Sequence, residues 1–220
     1  MTSEQGISVV AARRLVPAGL LVLSVVPVVA GAMRVTELSS GAEITPDNAR
    51  FFATPLPVVV HICAVTVYAI LGAFQFAPGL RRRRPGWHRW AGRLLVPSGL
   101  AGALAGLWMT LFYPRPGNVG DLLTGFRLVF GSAWILFLVL GFAAILRRDV
   151  SRHRAWMIRA YAVAMGAGTQ VFTNLAWVLA AGTPGRLGNT IVMFAGWAIN
   201  LAVAEWAIRR TPVPSVKEIR

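Results

Sequence analysis

"RRRRPGWHRWAGR", residues 81–93, sets six arginines, a histidine and two tryptophans in thirteen positions. A second basic stretch, "RRDVSRHRAWMIR", follows at 147–159. Taken alone, either would pass for a nucleic-acid patch. Their surroundings decide otherwise. Each separates two apolar runs long enough to cross a bilayer, so each reads as a loop at a membrane face. The 220 residues are 56% hydrophobic and 14% charged, whereas soluble domains carry about a quarter charged residues. The net charge of +14 therefore points to anionic lipid headgroups as partner and not to nucleic acid, since no reading motif accompanies it.

Working outward from these loops, apolar runs recur at 15–34, 55–77, 91–113, 122–145, 156–180 and 188–208. The expected fold is all-α, a six-helix transmembrane bundle forming one domain over residues 1–220. Helices two to five are expected to form its core, with helices one and six peripheral. The first run is too long for a cleaved signal peptide and reads as a retained anchor. With the amino terminus in the cytoplasm, 17 of the 22 Lys and Arg residues fall on the inner side. The exceptions are Arg34, Arg50, Arg115, Arg127 and Arg186. That asymmetry places both termini in the cytoplasm and both basic loops on the inner face. The single cysteine, Cys63, lies in an apolar run and supports neither an intrachain disulfide nor a thiolate zinc site.

Residues 69–96 can be laid over 138–163. Each segment reads Leu-Gly, aromatic, Leu-Arg-Arg, turn, His-Arg, Trp, then Arg. Parallel repeats of helices 2–3 and 4–5 would be related by an axis along the membrane normal, although composition alone also makes two basic loops alike. The stretches "FQFAPGLRRRRPGWHRWAGRLLV", "SRHRAWMIRAYAV" and "WAINLAVAEW" resemble a family of bacterial integral membrane proteins catalogued as domain of unknown function 2306. The resemblance runs from about helix two onward. It implies a multi-pass protein of a bacterial plasma membrane and supplies no activity.

Several residues could carry chemistry. His88 and His153 open the third and fifth helices at matching depth. Two neutral imidazoles there could ligate one haem b iron, with Arg89, Arg93, Arg154 and Arg159 accepting its propionates or another anion. The same histidines could equally cap their loops, and the same arginines could bind lipid phosphate. Glu205 is the one carboxylate inside an apolar run, so it must pair with Arg159 or Arg93 or else carry protons. His61, Tyr68 and Gln75 recur every seven residues on helix two, a polar row about 21 Å long. Gln170 and Asn174 on helix five, with Asn189 and Asn200 on helix six, must likewise face protein or a wet cavity. Gly102 and Gly106 allow a close helix approach, and Trp108, Trp134, Trp177 and Trp197 suit packing or interface anchoring.

No phosphate-binding glycine loop, dinucleotide fingerprint, HExxH pair or Gly-x-Ser-x-Gly element occurs. Three functions stay open: binding of an anionic or redox cofactor at the His/Arg cluster, small-molecule or proton transport along the polar row, and a non-catalytic partner subunit.

Overall fold

The computed structural model describes residues 3–210, with side chains described for 15–80 and 82–210. Lys217 and Arg220, counted on the inner side above, lie outside the described residues, as do the side chains of Arg13, Arg14 and Arg81. The described chain is helical throughout: α1 (Ser3–Ser39), α2 (Ala49–Ala53), α3 (Pro55–Gln75), α4 (Pro78–Arg83), α5 (Pro85–Phe112), α6 (Asp121–Leu146), α7 (Val150–Ala164), α8 (Gly166–Ala181) and α9 (Arg186–Arg209). Within it, Leu15–Ser39, α3, α5, α6 and α9 are each long and apolar enough to cross a membrane. Together α7 and α8 pass the same test but are bent by 44° at their junction, the form of a sixth, broken span or of a re-entrant loop.

Local chemistry sets the starts. α3, α4 and α5 begin on Pro55, Pro78 and Pro85, where the missing N–H costs no helical hydrogen bond. Asp149 caps α7, accepting from the backbone N–H of Arg152 at 2.9 Å. α8 stops at Gly182, whose φ of 76° would strain any other residue.

The fifth run, expected as one helix over 156–180, is divided at Met165. No proline lies there. Met165 has ψ near 0°, and the N–H of Gly168 bonds the Met165 carbonyl in a tight turn. The break loosens carbonyls that lipid could not satisfy, and α9 satisfies one of them: the Asn200 amide donates to the Ala162 carbonyl at 3.0 Å. Asn200 also accepts from the Thr169 hydroxyl at 2.7 Å. Gln170 and Thr173 donate to the carbonyls of Met193 and Val192 at 2.9 and 2.8 Å. A polar seam thus fastens α8 to α9.

The helices close into a ring in the order α1, α3, α5, α6, α9, α8 and back to α1, with α7 packed beneath against α6 and α9. α1 and α9 are therefore staves of the ring, not peripheral elements. α9 supplies buried Gly188, Asn189, Thr190, Val192, Gly196 and Ala204. α1 approaches α8 so closely that a Cβ on Gly168 would sit 2.3 Å from the Leu23 carbonyl oxygen.

Tyr68, Leu95, Trp134, Leu138 and Tyr161 make the packed layer at mid-bundle. Tyr161 lies over Gly72 and donates to the Ala69 carbonyl at 2.7 Å. Outside, Val22, Val25, Val29 and Met33 form an exposed strip along α1, and Phe172, Leu175 and Leu179 form another along α8. Water would penalise such strips, whereas acyl chains accept them.

Candidate functional site

Above the Tyr68 layer the ring encloses a cavity of about 650 Å³. Its mouth lies at the end of α5 remote from residues 81–84. The depth is consistent on three walls: Ser24 to Arg34, Ala103 to Tyr113 and Trp134 to Thr124 each span ten residues of lining, or about 15 Å at helical rise.

Four arginines line the mouth: Arg34, Arg50, Arg115 and Arg127. No aspartate or glutamate belongs to the lining. Arg34 pairs with Glu37 and Arg115 with Asp121, both at the rim. Arg50 and Arg127 make no ion pair among the described residues. Arg50 and Arg34 hold Phe51 between their guanidinium groups, 4.5 and 4.4 Å from the ring centre. Phe51 meets Tyr113 edge-on at 5.5 Å, and the Tyr113 hydroxyl donates to the Thr54 carbonyl at 2.5 Å. Arg186 and Asn189 of α9 fix the α5–α6 loop by donating to the carbonyls of Gly117 and Asn118, at 2.7 and 3.0 Å.

Deeper in, His61 donates from Nδ1 to the Gly102 carbonyl at 2.8 Å. A carbonyl only accepts, so the proton sits on Nδ1 and a neutral ring leaves Nε2 as acceptor. The α3–α5 crossing is tight because of the glycines: a Cβ on Gly102 would meet Val65 at 2.9 Å, and one on Gly106 would meet His61 at 3.2 Å. Trp134 closes the floor against Tyr68, ring to ring at 5.3 Å. Trp197 packs as expected, stacking on Phe130 at 4.6 Å.

The polar row is split by this geometry. His61 and Tyr68 line the cavity, whereas Gln75 does not. Its amide is buried below the floor with no hydrogen-bond partner among the described residues. Gln170 lines the wall and Asn174 does not.

His88 and His153 each occupy the fourth position of their helices, α5 and α7. Neither lines the cavity. α3 and α6 each pack against both α5 and α7, which have no extended interface of their own. His153 donates from Nδ1 to the Gly141 carbonyl at 2.8 Å, a loop-tying contact. Arg89, Arg93 and Arg154 also lie outside the cavity lining. Arg159 is committed to protein: it grips Glu205 through Nε at 2.5 Å and Nη2 at 3.0 Å, with Cζ 4.8 Å from the Trp156 ring centre. Glu205 thus takes Arg159, and not Arg93, as its partner.

The family model described as a predicted membrane protein (DUF2306) matches residues 58–208. The chain belongs to this family. No curated protein and no solved structure matches it. The DUF2306 match covers α3 to nearly the end of α9, and with it Arg115, Arg127, His61, Tyr68 and Gln170. Arg34 and Arg50, which complete the mouth, precede it.

Sequence reasoning did not single out the mouth arginines as a site. One signal was available: Arg127 stands inside the fourth apolar run with no carboxylate at its depth, and an intramembrane charge without a partner marks a cavity or ligand.

Proposed function

We propose that this protein binds an anionic small molecule inside the membrane, in the arginine-mouthed cavity. One observation carries the reading: two guanidinium groups, on Arg50 and Arg127, face a lining that contains no carboxylate. Unneutralised cations in a low-dielectric wall lower the energy of an incoming anion far more than they would in water. The cavity volume lies within the usual range for small-molecule sites.

A transport role agrees with the broken α7–α8 span, because interrupted helices beside a mid-membrane cavity recur in carriers. With the charge asymmetry read as positive-inside, the mouth faces outward from a bacterial plasma membrane, and the basic loops at 81–93 and 147–159 lie on cytoplasmic lipid phosphates.

The test is charge-selective labelling. In a Cys63→Ser background, Thr110→Cys places a thiol in the wall. A negatively charged methanethiosulfonate should modify it about tenfold faster than a positively charged one, the scale of one charge-assisted contact, and Arg127→Gln should erase most of that preference. Equal rates, or faster reaction of the cation, would overturn the anion reading.

A further inference from the structure

We infer that the ligand is a single-chain amphiphile, an alkyl phosphate or fatty carboxylate held head-up in the cavity. This rests on the anion-binding reading and adds the chemistry of the ligand's other end.

The polar groups that remain free decide what the inner end of the ligand meets. Below the mouth, four of the wall's donors are spent on the protein's own carbonyls, and the Trp134 indole N–H at the floor has no hydrogen-bond partner among the described residues. Ser24 donates to Leu21 at 2.7 Å, Thr110 to Gly106 at 2.8 Å, His61 to Gly102 at 2.8 Å and Gln170 to Met193 at 2.9 Å. Thr124, nearer the rim, donates to Gly120 at 3.1 Å. Between these groups the deep surface is mostly apolar, from Val65, Ala69, Ala103, Val163, Ala164 and Met165, with Thr66 and the rings of Tyr68, Trp134 and Trp197 among them. A wholly polar ligand filling the space would lose water around its inner half and find little to replace it.

The uncommitted charges behave oppositely. Arg50 and Arg127 sit at the upper end, where a compact anionic head could take charge-assisted hydrogen bonds from both. The lining is therefore graded from cationic to apolar over about 15 Å. A sugar phosphate or dicarboxylate matches only the top of that gradient. An alkyl chain beneath one anionic head matches all of it.

The experiment uses the full chain in lipid nanodiscs and reads protection of Thr110→Cys, in the Cys63→Ser background, from the anionic thiol reagent. Dodecyl phosphate or dodecanoate should slow labelling about tenfold at concentrations where inorganic phosphate and 1-dodecanol do nothing. Whichever of the two chains protects better identifies the head as phosphate monoester or carboxylate. Ala167→Phe intrudes on the deep wall from a side chain that is exposed and lines the cavity, so it should keep protection by octyl phosphate while losing protection by dodecyl phosphate. If inorganic phosphate protects as well as dodecyl phosphate, or Ala167→Phe leaves the chain-length preference unchanged, the amphiphile is overturned and anion binding stands. If 1-dodecanol protects as well as dodecyl phosphate, both readings fall together.

Discussion

Glu205 and Arg159 show how far one residue's chemistry carries. A carboxylate in an apolar helix must be neutralised, and a two-point guanidinium contact does so with the stacked Trp156 shielding one face. Side-chain exposures of 36% and 22% leave both groups partly accessible, so Glu205→Gln should cost about 1–2 kcal/mol, between an exposed pair and a fully buried one. Arg159→Gln added to it should restore part of that loss. Unfolding in mixed micelles measures the cycle, and a coupling below about 0.5 kcal/mol would mean that the pair does not hold the helices together. This contact was legible in the sequence because few cations share the depth of Glu205. Arg127 was not, although the same rule applies to it. Its lack of a partner follows from the folding of α1, α2 and α6 around one space, and no one-dimensional spacing reports that.

At the level of elements, apolar run length located five candidate spans and the bent α7–α8 pair, with ends off by up to six residues, and the failures have physical causes. Prolines 17, 27 and 97 sit inside α1 and α5, which continue through them. The span that does break contains no proline, only Gly166 and Gly168 around the turn at Met165. What makes the break tolerable lies on another helix, in Asn200, whose amide replaces the missing backbone donor. Asn200→Ala should therefore cost about 1–2 kcal/mol, as two side-chain hydrogen bonds in a membrane allow, with the loss concentrated at the hinge. Hydrogen exchange should rise in residues 162–170 and stay level in α3 and α5; a uniform rise across the bundle would show that Asn200 serves global packing and not the break. The sequence reading also misplaced α1 and α9 at the periphery, because hydropathy ranks helices by apolarity and says little about which of them enclose a cavity.

Over the whole molecule, the arginines divide into two populations by location. Those around residues 81–93 and 147–159 cluster at one end of α5 and α7, and those of the cavity mouth lie at the other. The proposed orientation is tested by fusing exposure reporters after residues 42, 84, 117, 149, 186 and 220. Fusions at 42, 117 and 186 should report the outside and the rest the cytoplasm; the reverse pattern would turn the mouth inward. The candidate haem positions, His88 and His153, stand at the basic end, while the cavity whose volume suits a ligand occupies the opposite half. Their equal place, four residues into α5 and α7, was readable from the sequence; the packing of α3 and α6 against both helices was not.

The depth of the cavity has an electrical consequence. A recess about 15 Å deep, when filled by water, would remove roughly half of the ~30 Å hydrocarbon insulator along this axis. Voltage drops where the dielectric is thin and dry, so nearly all of the membrane potential falls across the layer of Tyr68, Trp134, Leu138 and Tyr161. With the mouth facing outward as proposed, an anion at Arg127 would stay electrically close to the outer solution, and its occupancy would barely sense the potential. Carrying one charge past Tyr161 would instead traverse almost the full field, worth about 2.3 kcal/mol per 100 mV. Under the proposed transport role, capture would thus be voltage-blind and passage voltage-driven, with one layer of aromatic and leucine side chains as the boundary between them.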